Sequence, residues 1–175
     1  MNVFKVFWLT LKRLLGYPPE PTEEQKTEKI PTMRQLRDCA VAAVALACGV
    51  SYEKAYKALW HWDLPFFLES PLLSNPLNLK RAIKNLGKTF KDDINWVYVD
   101  NKMYQPMRLI LLVKSDTNLF SAIWFQHWVV IGNKNEDNTF DVYWGDSQEP
   151  RKIKREELYS MYSTGILKDA MEIMD

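Results

Sequence analysis

Ten consecutive apolar residues, from Cys39 to Cys48, stand between Asp38 and Gly49. Asp38 is a good N-cap type and Gly49 a natural terminator, so the run reads as one helix of about three turns. A helix that is apolar on every side must be covered on every side. The chain therefore needs a layered domain around it. Its 175 residues, 47% hydrophobic and 26% charged, are an ordinary globular composition of one domain's size, which excludes disorder throughout.

Two further helices follow the buried one. Ser51 caps a segment running to about Trp60, and Asn75 with Pro76 opens another that ends at Gly87, with Leu77, Leu79, Ile83 and Leu86 as its apolar set. After residue 90 the pattern turns to branched and aromatic runs at 94–99, 108–114, 124–131 and 140–144, which read as strands. Residues 133–138, rich in Asn and Asp, read as the hairpin loop between the last two. Helices first and strands afterwards, without alternation, predict an α+β domain with an antiparallel sheet.

Several function classes drop out early. A net charge of +1 supplies no field for a polyphosphate, which argues against nucleic acid as a partner. The six glycines are too dispersed for a phosphate-cradling loop. The two cysteines and two histidines show no zinc-ligand spacing, and nothing calls for a metal or another cofactor. Cys39 and Cys48 lie at opposite ends of one helix, roughly 13 Å apart along its axis, too far to pair. Unpaired cysteines and the lack of a cleavable signal point to a reducing, cytoplasmic setting.

The first 16 residues are a basic, apolar segment without an acid, and residues 17–31 are a Pro- and Glu-rich linker, so the main domain spans 32–175. Phe4, Phe7, Trp8 and the leucines of the first segment suit either an interfacial amphipathic helix or a helix docked on the domain's core or a partner protein. Charge and length rule out a bilayer span.

Chemistry centres on three residues. Cys39 opens its helix, where the dipole and unpaired amides favour a thiolate, whereas Cys48 meets the opposite field. His127 begins the strand Gln126-His-Trp-Val-Val-Ile-Gly132, and Asp146 follows the next strand in Trp144-Gly-Asp-Ser147. Antiparallel pairing of those strands predicts His127 and Asp146 at one sheet end, where a carboxylate would fix the imidazole's tautomer. Taken singly, each has a plainer explanation: a buried structural cysteine, a half-buried histidine, a turn aspartate. His61, among aromatics at a helix end, reads as a packing or capping residue, and the cations at 151, 152, 154 and 155 read as a solvated face.

Three segments resemble the papain-like cysteine peptidases, most closely their bacteriocin-processing, double-glycine peptidase branch. Gln35-Leu-Arg-Asp-Cys39-Ala-Val-Ala-Ala followed by Gly49-Val-Ser-Tyr-Glu-Lys54 resembles the helix bearing the nucleophile and the start of the next. Arg108-Leu-Ile-Leu-Leu-Val113 with His127-Trp-Val-Val-Ile-Gly132 resembles the strand pair delivering the histidine. Phe140-Asp-Val-Tyr-Trp-Gly-Asp146 with Ile153-Lys-Arg-Glu-Glu-Leu158 resembles the strand carrying the third residue and a short helix behind it. The match covers about residues 32–160 in the family's Cys, His, Asp order. Ala40 stands where the family commonly has glycine or an aromatic, and Gln35 lies four residues before Cys39, not five or six.

The resemblance implies a papain-like fold, with N-terminal helices and a buried nucleophile helix packed on the antiparallel sheet. It also implies a thiol hydrolase acting on a peptide or protein substrate. Cys39 would be the nucleophile, His127 the base, Asp146 the orienting acid and Gln35 an oxyanion donor. The same triad serves acyltransferases, transglutaminases and deamidases. A catalytically silent binding module on the same fold is the further alternative.

Overall fold

The computed structural model describes residues 7–8, 11–12, 18, 20–26, 30–34, 38–60, 75–92, 94, 96–101, 108–114, 126–161 and 170–174. Among them it forms helices α1 (Glu23–Lys26), α2 (Cys39–Cys48), α3 (Tyr52–Leu59), α4 (Pro76–Asn85), α5 (Trp96–Asn101) and α6 (Arg155–Met161). The strands are β1 (Thr89–Lys91), β2 (Leu109–Lys114), β3 (Gln126–Lys134), β4 (Thr139–Tyr143), β5 (Arg151–Lys154) and β6 (Ala170–Met174). They make one sheet in the order β1-β6-β2-β3-β4-β5, with every neighbouring pair antiparallel. The domain is α+β.

The apolar run is α2, and nine of its ten residues are buried. Gly49 ends it in the left-handed region at φ 64°. At the other end Asp38 occupies the cap position without capping: its carboxylate instead accepts hydrogen bonds from the Arg34 N–H, at 3.1 Å, and from the Tyr52 hydroxyl. A lost side-chain cap costs about 1 kcal/mol, whereas each fully buried valine contributes about 1.5–3 kcal/mol. With Val41 and Val44 both fully buried, packing decides that this segment is helical. Ser51 and Asn75 do cap α3 and α4, accepting from the N–H groups of Lys54 and Leu77.

Period-two alternation sorts the strands onto two covered faces. Ile110, Trp128, Val130, Met171 and Ile173 pack with α2, α3 and α4. Leu109, Leu111, Val113, Val129, Ile131, Phe140 and Val142 form a second cluster with Ile94, Val99 and Leu158. Burial on both faces explains the near-continuous apolar reading of β2 and β3.

Residues 94–99 correct the expectation of a strand, because 96–101 are the helix α5. Alternation would put Val97 and Val99 on one face, yet Val97 is 66% exposed and Val99 fully buried. Docking of Val99 into the second cluster prevails over the β preference of its residue types. The linker holds α1, opened by a reciprocal capping box between Thr22 and Gln25. Gln25 also donates to the Met33 carbonyl at 3.0 Å, which ties the linker to the approach to α2.

Candidate functional site

The site is built where α2 begins, where β3 begins and where β4 has just ended. The paired residues Val130 and Tyr143 mark the last ladder step there, three residues short of His127 on one strand and of Asp146 on the other. Beyond Tyr143 the chain peels away from β3, leaving room beside the strand for the α2 terminus. Gly145 makes the close approach: its φ is +79°, its carbonyl accepts from the Met33 N–H at 2.6 Å, and an added Cβ would lie 3.2 Å from that of Ala42.

Cys39 is 4% exposed, and its sulfur accepts a hydrogen bond from the Trp128 N–H at 3.5 Å. A strand's N–H lies in the sheet plane, so the sulfur sits at the peptide linking His127 to Trp128. Burial pushes the thiol up, and the Asp38 carboxylate adds to this; the amides of Trp128, Ala40 and Cys39 itself pull the other way. Asp38 is held by Tyr52, whose phenol is driven up by burial and by that neighbouring charge. Arg34 lies 4.2 Å over the Tyr52 ring and pairs with Glu53, which completes the brace beneath Cys39. Cys48, at the other end of α2, is a free buried thiol pushed up to about 11, mainly by burial.

His127 leaves β3 on the side of Val129 and Ile131, opposite Trp128. Its Nε2 lies 2.6 Å from the Trp144 carbonyl oxygen, and its ring stacks on the Trp144 indole with centroids 5.3 Å apart. A carbonyl only accepts, so Nε2 carries the proton and Nδ1 holds the lone pair. Burial lowers the imidazole pKa; the Trp144 carbonyl and Asp146 oppose this, and Arg151 adds to it.

Asp146 is drawn to Arg151, with which its carboxylate forms an ion pair, and not into hydrogen bonding with His127. The Arg151 guanidinium lies over the Trp144 ring, 5.1 Å from its centroid. Thus the structure gathers Cys39, His127 and Asp146 around one sheet end, while no hydrogen bond joins any two of them. Gln35 and His61 lie outside the described residues.

An apolar cleft of about 230 Å³, counting its opening to solvent, runs along α2 one turn beyond Cys39. Ala42, Ala43, Trp128, Tyr143 and Gly145 line it, with Ile30 and Pro31 as one wall. Among the described residues no group of three or more His, Cys, Asp or Glu side chains is disposed to hold a metal ion.

Sequence reasoning did not find Trp144 and Arg151. Trp144 belongs to a strand end that reads as core, and Arg151 to a cluster whose acidic neighbours read as solvated. An aromatic beside a Gly-Asp corner, with a cation five residues after the aspartate, was the signal available. Compared with known protein families, with curated proteins and with solved structures, the chain has no match.

Proposed function

We propose that the protein is a papain-like thiol hydrolase that cleaves a peptide or related acyl bond through Cys39, with His127 as its base and Asp146 as the acidic third member. The hydrogen bond from the Trp128 N–H to the Cys39 sulfur carries this assignment. It joins a helix-terminal thiol to the peptide next to His127, a juxtaposition that separate structural roles for the two residues would not require.

The pKa directions of Cys39 and His127 favour a neutral thiol and a neutral imidazole at rest. In this mechanism the His127 ring closes on the thiol as substrate binds, and Nδ1 takes the thiol proton while the sulfur attacks the carbonyl carbon. The Cys39 N–H and Gln35 steady the oxyanion. The imidazolium returns its proton to the leaving amine as the carbon–nitrogen bond breaks, leaving a thioester that water hydrolyses. The field of Asp146 favours the imidazolium throughout. Transfer to an acceptor other than water, as in acyltransferases, transglutaminases and deamidases, uses the same steps up to the thioester.

A catalytically silent binding module is the second reading, favoured by the 4% exposure of Cys39 and by the absence of a hydrogen bond to His127. Fluorogenic peptide and thioester substrates separate the two. Product release abolished by Cys39→Ala supports the hydrolase; release that survives in Cys39→Ala contradicts it.

Residues 1–16 fit a peripheral contact with an anionic membrane surface. Phe7 and Trp8 are helical, 64% and 54% exposed, in a segment without acidic residues. No helix among the described residues is long and apolar enough to cross a membrane. Co-sedimentation with anionic vesicles that is lost in a Phe7→Ala, Trp8→Ala variant supports this contact, and equal sedimentation of both proteins contradicts it.

A further inference from the structure

We propose that Arg151 is a positioning residue of the Cys39–His127 site: pinned by Asp146, its guanidinium holds the Trp144 indole against His127, so that Asp146 acts on the imidazole through Arg151 and Trp144 and not by direct contact. The inference rests on the hydrolase reading for what the positioned imidazole does, and on four observed contacts for the positioning itself.

The chain of contacts is continuous. Asp146 pairs with Arg151; Arg151 lies 5.1 Å from the centroid of the Trp144 ring; that ring stacks on His127 at 5.3 Å; and the Trp144 carbonyl takes the His127 Nε2–H at 2.6 Å. Trp144 therefore contacts two flat groups, an imidazole and a guanidinium. Its own Nε1 is buried with no hydrogen-bond partner among the described residues, so no polar anchor fixes the indole. Packing against the second apolar cluster and these two ring contacts set its place, and with it the direction of the carbonyl on which His127 depends.

The ion pair alone would not warrant a role, because both side chains are about half exposed, at 54% and 44%, and such pairs contribute little to stability. Its consequence is geometric. A freely rotating arginine would spend much of its time away from Trp144, whereas one end of the guanidinium tied to Asp146 keeps the group over the indole. Asp146 comes from the turn after β4 and Arg151 from the start of β5, so the pair also closes the loop that carries Trp144.

The experiment is proton NMR of the imidazole ring of His127 in the full chain, with its signals told apart from those of His61 by a His127→Ala variant. The wild-type ring protons are expected upfield of their free-imidazole positions because of the indole. Asp146→Ala and Arg151→Ala should each lose most of that shift, by similar amounts, and the double variant should lose no more. Arg151→Lys, which keeps the charge without the planar face, should resemble Arg151→Ala. The rate of Cys39 alkylation should fall several-fold in the same four variants.

Direct contact between Asp146 and His127 predicts otherwise: Arg151→Ala would free the carboxylate and preserve or strengthen its effect, while Asp146→Ala alone would be impaired. That inequality overturns the proposal, as does a full upfield shift in both single variants or its rescue by lysine. Failure of the hydrolase reading looks different. There the ring signals follow the expected pattern while Cys39 shows no reactivity beyond that of Cys48 in any form of the protein.

Discussion

The imidazole of His127 donates its Nε2–H to the carbonyl oxygen of Trp144, 2.6 Å away, and lies flat against the indole of the same residue. One residue thus supplies both the acceptor that fixes the tautomer and the surface that fixes the ring. Nδ1 is left as the basic nitrogen, on the residue directly before the Trp128 N–H that holds the Cys39 sulfur.

The carboxylate directly preceding Cys39 works against its ionisation. Asp38 is 2% exposed, and its charge adds to burial in raising the thiol pKa. Asp38→Asn keeps an acceptor for Tyr52 but removes the charge, so the pH at which Cys39 alkylation reaches half its maximal rate should move down. A midpoint that stays or moves up contradicts this electrostatic assignment. Asp38→Ala also removes the acceptor shared by Tyr52 and Arg34, and should destabilise the fold by about 2–4 kcal/mol in denaturant titrations.

Gly145 should tolerate no side chain. Its φ of +79° disfavours other residues, and a Cβ would press on Ala42 at 3.2 Å and on Met33 at 3.3 Å. Gly145→Ala is expected to lose about 2–3 kcal/mol, a fall in Tm of about 4–12 °C for a domain of this size. An unchanged melt would show that the loop after β4 is free to move from α2.

Burial of His127 makes stability depend on pH in a definite sense. Its folded pKa lies below the ordinary 6.5, so the unfolded chain binds the proton more tightly and stability rises with pH through this window. The contribution is fully present above about pH 6.5 and is lost as pH falls through the folded value. His127→Gln should therefore show a smaller drop in Tm than the wild type between about pH 7 and about pH 5. An equal drop assigns the acid sensitivity to other groups.

Much of this architecture is legible in the sequence because local and tertiary preferences agree. The apolar run from Cys39 to Cys48 has only one way to be buried, and Gly49, Ser51 and Asn75 mark helix ends by chemistry that acts within a few residues. β6 was not legible: Ala170–Met174 consists of alanine, methionines, glutamate and isoleucine, and its strand form comes from pairing with β1 and β2, which lie far back in the chain. β5 carries three cations in four residues, the pattern of a charged edge strand that reads like a loop. In the site, Cys39, His127 and Asp146 stand out by residue type and position. The links among them do not, because a backbone carbonyl has no signature in a sequence and Arg151 is placed by a partner five residues away while it stays exposed.

Cys39 and Cys48 share one helix, one chain and nearly equal burial, at 4% and 3% exposed, which makes each the control for the other. The rate of iodoacetamide labelling at the two cysteines of the folded full-length protein, read by mass spectrometry at neutral pH and repeated in His127→Ala, tests the thiol chemistry most directly. Cys39 is expected to label at least about tenfold faster than Cys48, and His127→Ala to remove most of that advantage. Equal labelling of the two cysteines, or a Cys39 rate indifferent to His127, would contradict the hydrolase.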